Sequence, residues 1–180
     1  MIFGGMHDAA LTAAFLAQAT AKIPVLEDVH QQQLKPLDLI HTISPLQSTN
    51  LAVGLAPTMP VGVIAFSAGV VAAVGWLQRW QQLGGQVAGL IAVDGWGVPL
   101  TARYPTFRLS HDQFTHRSSM LLGGGPVNFY ADPAVPHLTL WRTPQTIPGW
   151  QVDTQTGYTV QATTALAFIA HAVNKISAPF

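Results

Sequence analysis

Residues 39 to 78 contain no Asp, Glu, Lys or Arg. A stretch that long without charge is expected to be buried, either in lipid or in the dry interior of a folded domain. The segment from Val61 to Gln78 comes close to the roughly 18 residues that mark a transmembrane helix. Its internal order argues for the second alternative. Pro57 and Pro60 interrupt helix immediately upstream. Val61-Gly62-Val63-Ile64-Ala65-Phe66 is a β-branched apolar block of the kind that forms a strand covered on both faces. Ser67-Ala68-Gly69 reads as a tight turn of small residues. Val70 to Gln81 is alanine-rich and helical, closed by Gly84-Gly85. A buried strand feeding a helix therefore replaces the membrane span, and no integral membrane segment is expected. The N-terminus lacks a basic region and meets Asp8 at once, so no secretory leader is expected and the location is read as cytoplasmic.

Composition narrows the function classes. The chain has 180 residues, 49% hydrophobic and only 9% charged, where a soluble domain carries about 25% charge. That size suits a single domain spanning 1–180. Eight Lys and Arg balance eight Asp and Glu, which leaves no basic footprint for nucleic acid or anionic lipid. The absence of cysteine excludes a disulfide scaffold, a thiolate metal site and a Cys nucleophile.

The strand-then-helix unit recurs along the chain. Met1 to Phe3 predicts a strand ending in Gly4-Gly5, then Asp8 as an N-cap and a helix from Ala9 to Ala21. Ile23 to Leu26 predicts a second short strand. The glutamine-rich stretch from Glu27 to Asp38 reads as a surface loop or short helix, and Leu46 to Leu55 as a helix. Val87 to Val93 is another continuous apolar strand, closed by Asp94-Gly95. Thr106 to Ser110 and Val127 to Tyr130 predict two more strands, with a short helix from Thr115 to Leu122 between them. Thr159 to Asn174 predicts a last amphipathic helix with Val160, Leu166, Ala170 and Val173 on its apolar face. This alternation implies a three-layer α/β/α sandwich around a mostly parallel sheet. Chemistry in such a sheet belongs beyond the carboxyl ends of the strands, at Gly4-Gly5, Ser67, Asp94, His111-Asp112 and the loop after Tyr130.

Ser67 is the leading candidate. Ala65-Phe66-Ser67-Ala68-Gly69 places a serine between a buried strand and a helix, where small neighbours let the two pass closely. The helix N-terminus there favours a developing oxyanion. The bland alternative is an ordinary serine N-cap. The pentapeptide resembles the nucleophile elbow of the α/β-hydrolase family, with Ala65 in place of the first glycine. The resemblance implies a triad in the order serine, acid, histidine. It points to Asp112, after the second strand beyond the elbow, as the acid. It points to His137, in Val135-Pro136-His137-Leu138, as the base. It also implies an oxyanion hole from the backbone N–H groups of Met6, in Gly4-Gly5-Met6-His7, and Ala68. The chain would begin at the family's third strand, as in minimal lipases and esterases.

Alternatives stay open at this level. Asp94 competes as the acid, His116 and His111 as the base, and a metal reading would use His111, Asp112 and His116. No metal is expected on balance, and no cofactor. Gly123-Gly124-Gly125-Pro126 lacks the Lys-Ser/Thr of a phosphate loop, and Gly95-Trp96-Gly97 is too short for a dinucleotide fingerprint. Trp96 and Trp141 are expected near the site, as walls for an apolar acyl chain. The function expected is a serine hydrolase acting on a small-molecule carboxylic ester or thioester with an apolar acyl group. The alternative is a catalytically inactive binding or assembly protein on the same fold. The scarcity of charge further predicts an exposed apolar patch, used for homo-oligomer formation or for approach to a lipid-like substrate.

Overall fold

The computed structural model describes residues 1–27, 31–33 (backbone), 60–101, 103–153 and 159–177. The helix expected at 46–55 and Pro57 lie outside the described residues. Those described form one eight-stranded sheet in the order β2-β1-β3-β4-β5-β6-β7-β8. The strands are β1 Ile2–Gly4, β2 Gln31–Gln33, β3 Val61–Phe66, β4 Val87–Val93, β5 Thr106–Ser110, β6 Val127–Ala131, β7 Pro148–Asp153 and β8 Thr159–Thr164. β1 to β6 pair in parallel, and β7 and β8 close the far edge antiparallel. The helices are α1 Ala9–Ala19, α2 Gly69–Gln82, α3 Gln113–Met120, α4 His137–Arg142 and α5 Ala165–Ser177. None is long and apolar enough to cross a membrane.

Alternating side chains of the central strands supply two cores, one on each face, which is why those strands read as uninterrupted apolar runs. Ile64 and Phe66 of β3, with Ile91 and Val93 of β4, pack against Phe15 of α1, Trp141 of α4 and Phe168 of α5. Val63 and Ala65, with Leu90 and Ala92, pack against Val70, Trp76, Leu77 and Trp80 of α2. Each large side chain removed from water here contributes roughly 1.5–3 kcal/mol. Where it is described, the charge-free stretch is buried through nearly all of β3 and along the inward face of α2, while Val71 and Gln78 on the outer face of α2 are exposed. The Asp8 side chain caps α1 by accepting from the Ala10 N–H at 2.8 Å.

The outer elements depart from expectation. Ile23–Leu26 is not a strand, because Pro24 opens a 3₁₀ turn over Pro24–Leu26; proline lacks the N–H a ladder needs and pre-sets a turn. Gln31–Gln33, read as loop or helix, pairs with β1 as an edge strand. Thr159–Thr164 is not the start of the last helix but strand β8, consistent with its β-branched run of Thr159, Val160, Thr163 and Thr164. The helix begins at Ala165. The strand at Val127–Ala131 is consequently not the last.

Candidate active site

Ser67 sits at the carboxyl end of β3 with φ 54°, in the left-handed region that non-glycine residues seldom occupy. The turn is so tight because α2 must start immediately and pass close to β1. A Cβ at Gly69 would lie 2.5 Å from the Phe3 carbonyl oxygen and 2.7 Å from that of Gly4. A Cβ at Gly5 would stand 3.1 Å from the Ser67 Cβ. Glycine at both positions therefore lets β1, the turn and α2 converge.

Ser67 Oγ lies 2.9 Å from His137 Nε2, and His137 Nδ1 lies 2.5 Å from Asp94 Oδ2. An ionised carboxylate only accepts hydrogen bonds, so the His137 Nδ1–H donates to Asp94 and the neutral Nε2 accepts from the serine hydroxyl. His137 opens α4 after Pro136. Its ring stacks on Phe66 at 4.8 Å between centroids, Phe66 stacks on Trp141 at 5.1 Å, and Trp141 on Phe15 at 3.7 Å. This aromatic column fixes the imidazole plane from below. Trp141 is wholly buried within the column; it does not wall the cleft as expected.

The carboxylate facing His137 belongs to Asp94, at the end of β4, and not to Asp112. The Asp94 side chain is almost fully buried, and Asp94 shares the positive φ of Ser67, at 53°. Asp112 instead caps α3, its Oδ1 accepting from the Thr115 N–H at 2.6 Å. Burial alone would raise the Asp112 pKa. The hydrogen bonds from Thr115, with the His111 charge and the Phe114 N–H, hold it below the ordinary carboxylate value.

His111 and His116 part company. His111 follows β5 and faces Asp94, its Nδ1 lying 2.8 Å from both carboxylate oxygens. His116 lies inside α3, 3% exposed, against Tyr130. Burial, reinforced by the charges of Arg117 and Arg108, pushes its pKa below the usual 6.5. It reaches neither Ser67 nor the other histidines' carboxylate. The groupings for a metal ion shift accordingly: Asp94, His111 and His137 offer donor atoms within 4.8 Å of one another. Those atoms already stand at hydrogen-bond distances, which protons on the two Nδ1 atoms satisfy.

A cavity of about 510 Å³ opens over Ser67, bordered by Ala68, Val71, Trp96, Phe114 and His137. Trp96 is 66% exposed and Phe114 74%, so the rim is apolar and open. Ala68 borders it. Met6 does not: it is half exposed in the turn after β1, and Gly5 is the residue of that turn that approaches Ser67. The Gly5 N–H donates to His7 Nε2 at 3.1 Å.

Sequence reasoning missed Arg108. Its guanidinium is buried against carbonyl groups alone, donating Nε–H to Gly123 at 2.6 Å, an Nη2–H to Val98 at 2.5 Å and an Nη1–H to Gly95 at 3.3 Å. Burial pulls its pKa down to about 10. It pins the 95–98 loop that carries Trp96. The signal was present in Phe107-Arg108-Leu109, where period-2 alternation turns a lone cation inward. Comparison with protein-family models, with curated proteins and with solved structures finds no match to this chain.

Proposed function

We propose that the protein is a serine hydrolase that cleaves a carboxylic ester or thioester through an acyl-enzyme. The observation that carries the reading is the continuous arrangement Ser67 Oγ–His137 Nε2–His137 Nδ1–Asp94, hung on a serine at φ 54°. His137 takes the Ser67 proton as Oγ attacks the acyl carbon. The resulting imidazolium is held by Asp94 and returns the proton to the leaving oxygen or sulfur. Water, deprotonated by His137, then attacks the acyl-enzyme and releases the acid and Ser67. The Ala68 N–H, among the first-turn groups that a helix leaves without intrahelical acceptors, donates to the developing oxyanion in this mechanism. Supporting the finer fold assignment, strands β1 to β6 run in the order β2-β1-β3-β4-β5-β6, and this matches a minimal α/β-hydrolase sheet that lacks the family's first two strands.

Trp96, Phe114 and Val71 border the cleft without a Lys or Arg among its lining residues, which favours a neutral, apolar acyl group. A fluorophosphonate probe tests the activity. The wild-type protein is expected to become labelled on Ser67 and the folded Ser67→Ala variant to remain unlabelled. A folded wild type that stays unlabelled, and cleaves no p-nitrophenyl ester, sinks the hydrolase reading in favour of a non-catalytic binding or assembly role.

A further inference from the structure

Asp94 serves two imidazoles. Besides His137 Nδ1, it faces both the backbone N–H of His111, which donates to Oδ1 at 3.2 Å, and the His111 Nδ1, 2.8 Å from each oxygen. The carbonyl of His111 accepts from the N–H of Val135 at 3.0 Å, two residues before His137. The His111 Nε2 lies 3.4 Å from the Asp112 carboxylate. One residue at the end of β5 thus ties the acid at the end of β4 to the segment that delivers the base after β6. We propose that His111 is a positioning residue, which holds the Asp94 carboxylate in the orientation that accepts from His137 and anchors the approach to α4. Among the described residues no hydrogen bond joins it to Ser67, and it moves no proton in the reaction. The role in turnover rests on the hydrolase reading; the hold on Asp94 does not.

The geometry explains why a histidine serves here. A carboxylate on a residue with φ near +53° and a nearly buried side chain must have donors on several sides. His137 supplies one, and it has to remain free to carry positive charge in the transition state. His111 supplies two more from a fixed backbone position, so Asp94 does not swing away when His137 cycles. Asn places its Nδ2 the same number of bonds from Cα as the His Nδ1, so His111→Asn is the conservative replacement; His111→Ala removes the side-chain donor altogether.

Two readouts test this. The first is the downfield proton resonance of His137 Nδ1–H, assigned by its loss in His137→Gln and recorded at low temperature. It is expected in the wild type and in His111→Asn, and shifted or lost in His111→Ala. The second is ester hydrolysis, where His111→Ala is expected to lose about ten- to a hundredfold in kcat, the worth of one charge-assisted hydrogen bond. KM should change little, and His111→Asn should recover most of the loss. Circular dichroism confirms that each variant is folded. The inference is overturned if the wild type lacks the resonance, if His111→Ala keeps both resonance and kcat, or if His111→Asn falls as far as His111→Ala. A wild type that shows the resonance but takes no fluorophosphonate sinks the hydrolase reading alone, and the resonance in the variants then decides the positioning role.

Discussion

Two carboxylates, Asp94 and Asp112, stand close to His111, but only Asp94 meets the His137 ring. On the proposed mechanism, Asp94→Asn should lower kcat by about a thousandfold or more by disfavouring the tautomer that donates to the acid. Asp112→Ala should cost far less activity, its main effect being the lost helix cap, worth about 1 kcal/mol of stability. Parallel ester assays and melting curves separate the two. His116 gives a pH prediction of definite sign. Its pKa is lower in the folded state than the usual 6.5, so the unfolded chain binds the proton first and stability falls as pH drops below that value. Urea unfolding at neutral and mildly acidic pH should show this loss in the wild type and a smaller loss in His116→Gln. The buried Arg108 belongs to the same scale. Arg108→Met leaves three carbonyl groups without their donor and is expected to cost about 3 kcal/mol or more in urea unfolding.

At the scale of the element, the convergence of β1, the Ser67 turn and α2 is the most constrained part of the chain. Gly69→Ala puts a methyl 2.5 Å from the Phe3 carbonyl oxygen. The start of α2 must then back away from β1, at an expected cost of about 2 kcal/mol in thermal or urea unfolding. This element was legible in the sequence because its demands are local: β-branched residues, then small ones, then alanine-rich helix. β4 was equally legible as an apolar run bounded by turn residues, and β5 as a short alternating stretch with Phe107 and Leu109 on one face. β7 and β8 were not. Pro148-Gly149 opens β7 on turn residues, and the threonines of β8 fit either an exposed strand or the first turn of an amphipathic helix. Pairing along the sheet edge decides between them, and it is a non-local fact. The acid was mistaken for a comparable reason. Asp94 and Asp112 both follow strands, and what separates them is the lateral reach of His137 from beyond β6, which strand order in the sequence does not encode. The aromatic column beneath His137 was likewise hidden, since Phe15, Phe66 and Trp141 lie in three separate segments.

Over the whole molecule, the shortage of charge has a physical counterpart. The ion pairs among the described residues all join histidine to aspartate around the cleft, and none joins Lys or Arg to Asp or Glu. The fold is held by two apolar cores, one on either face of the sheet. Its melting temperature should therefore vary little as NaCl is raised from about 0.01 to 0.15 M, where surface pairs would lose most of their strength to screening. A clear drop would overturn the account of a fold held by its two apolar cores. The hydrogen bond between Ser67 and His137 spans 70 positions of sequence, and the carboxylate between them hangs from a third strand. The cleft therefore exists only while four neighbouring strands stay in register. Reactivity at Ser67 should thus report on the intact sheet as one unit, falling in urea in step with global unfolding and reaching half at its midpoint.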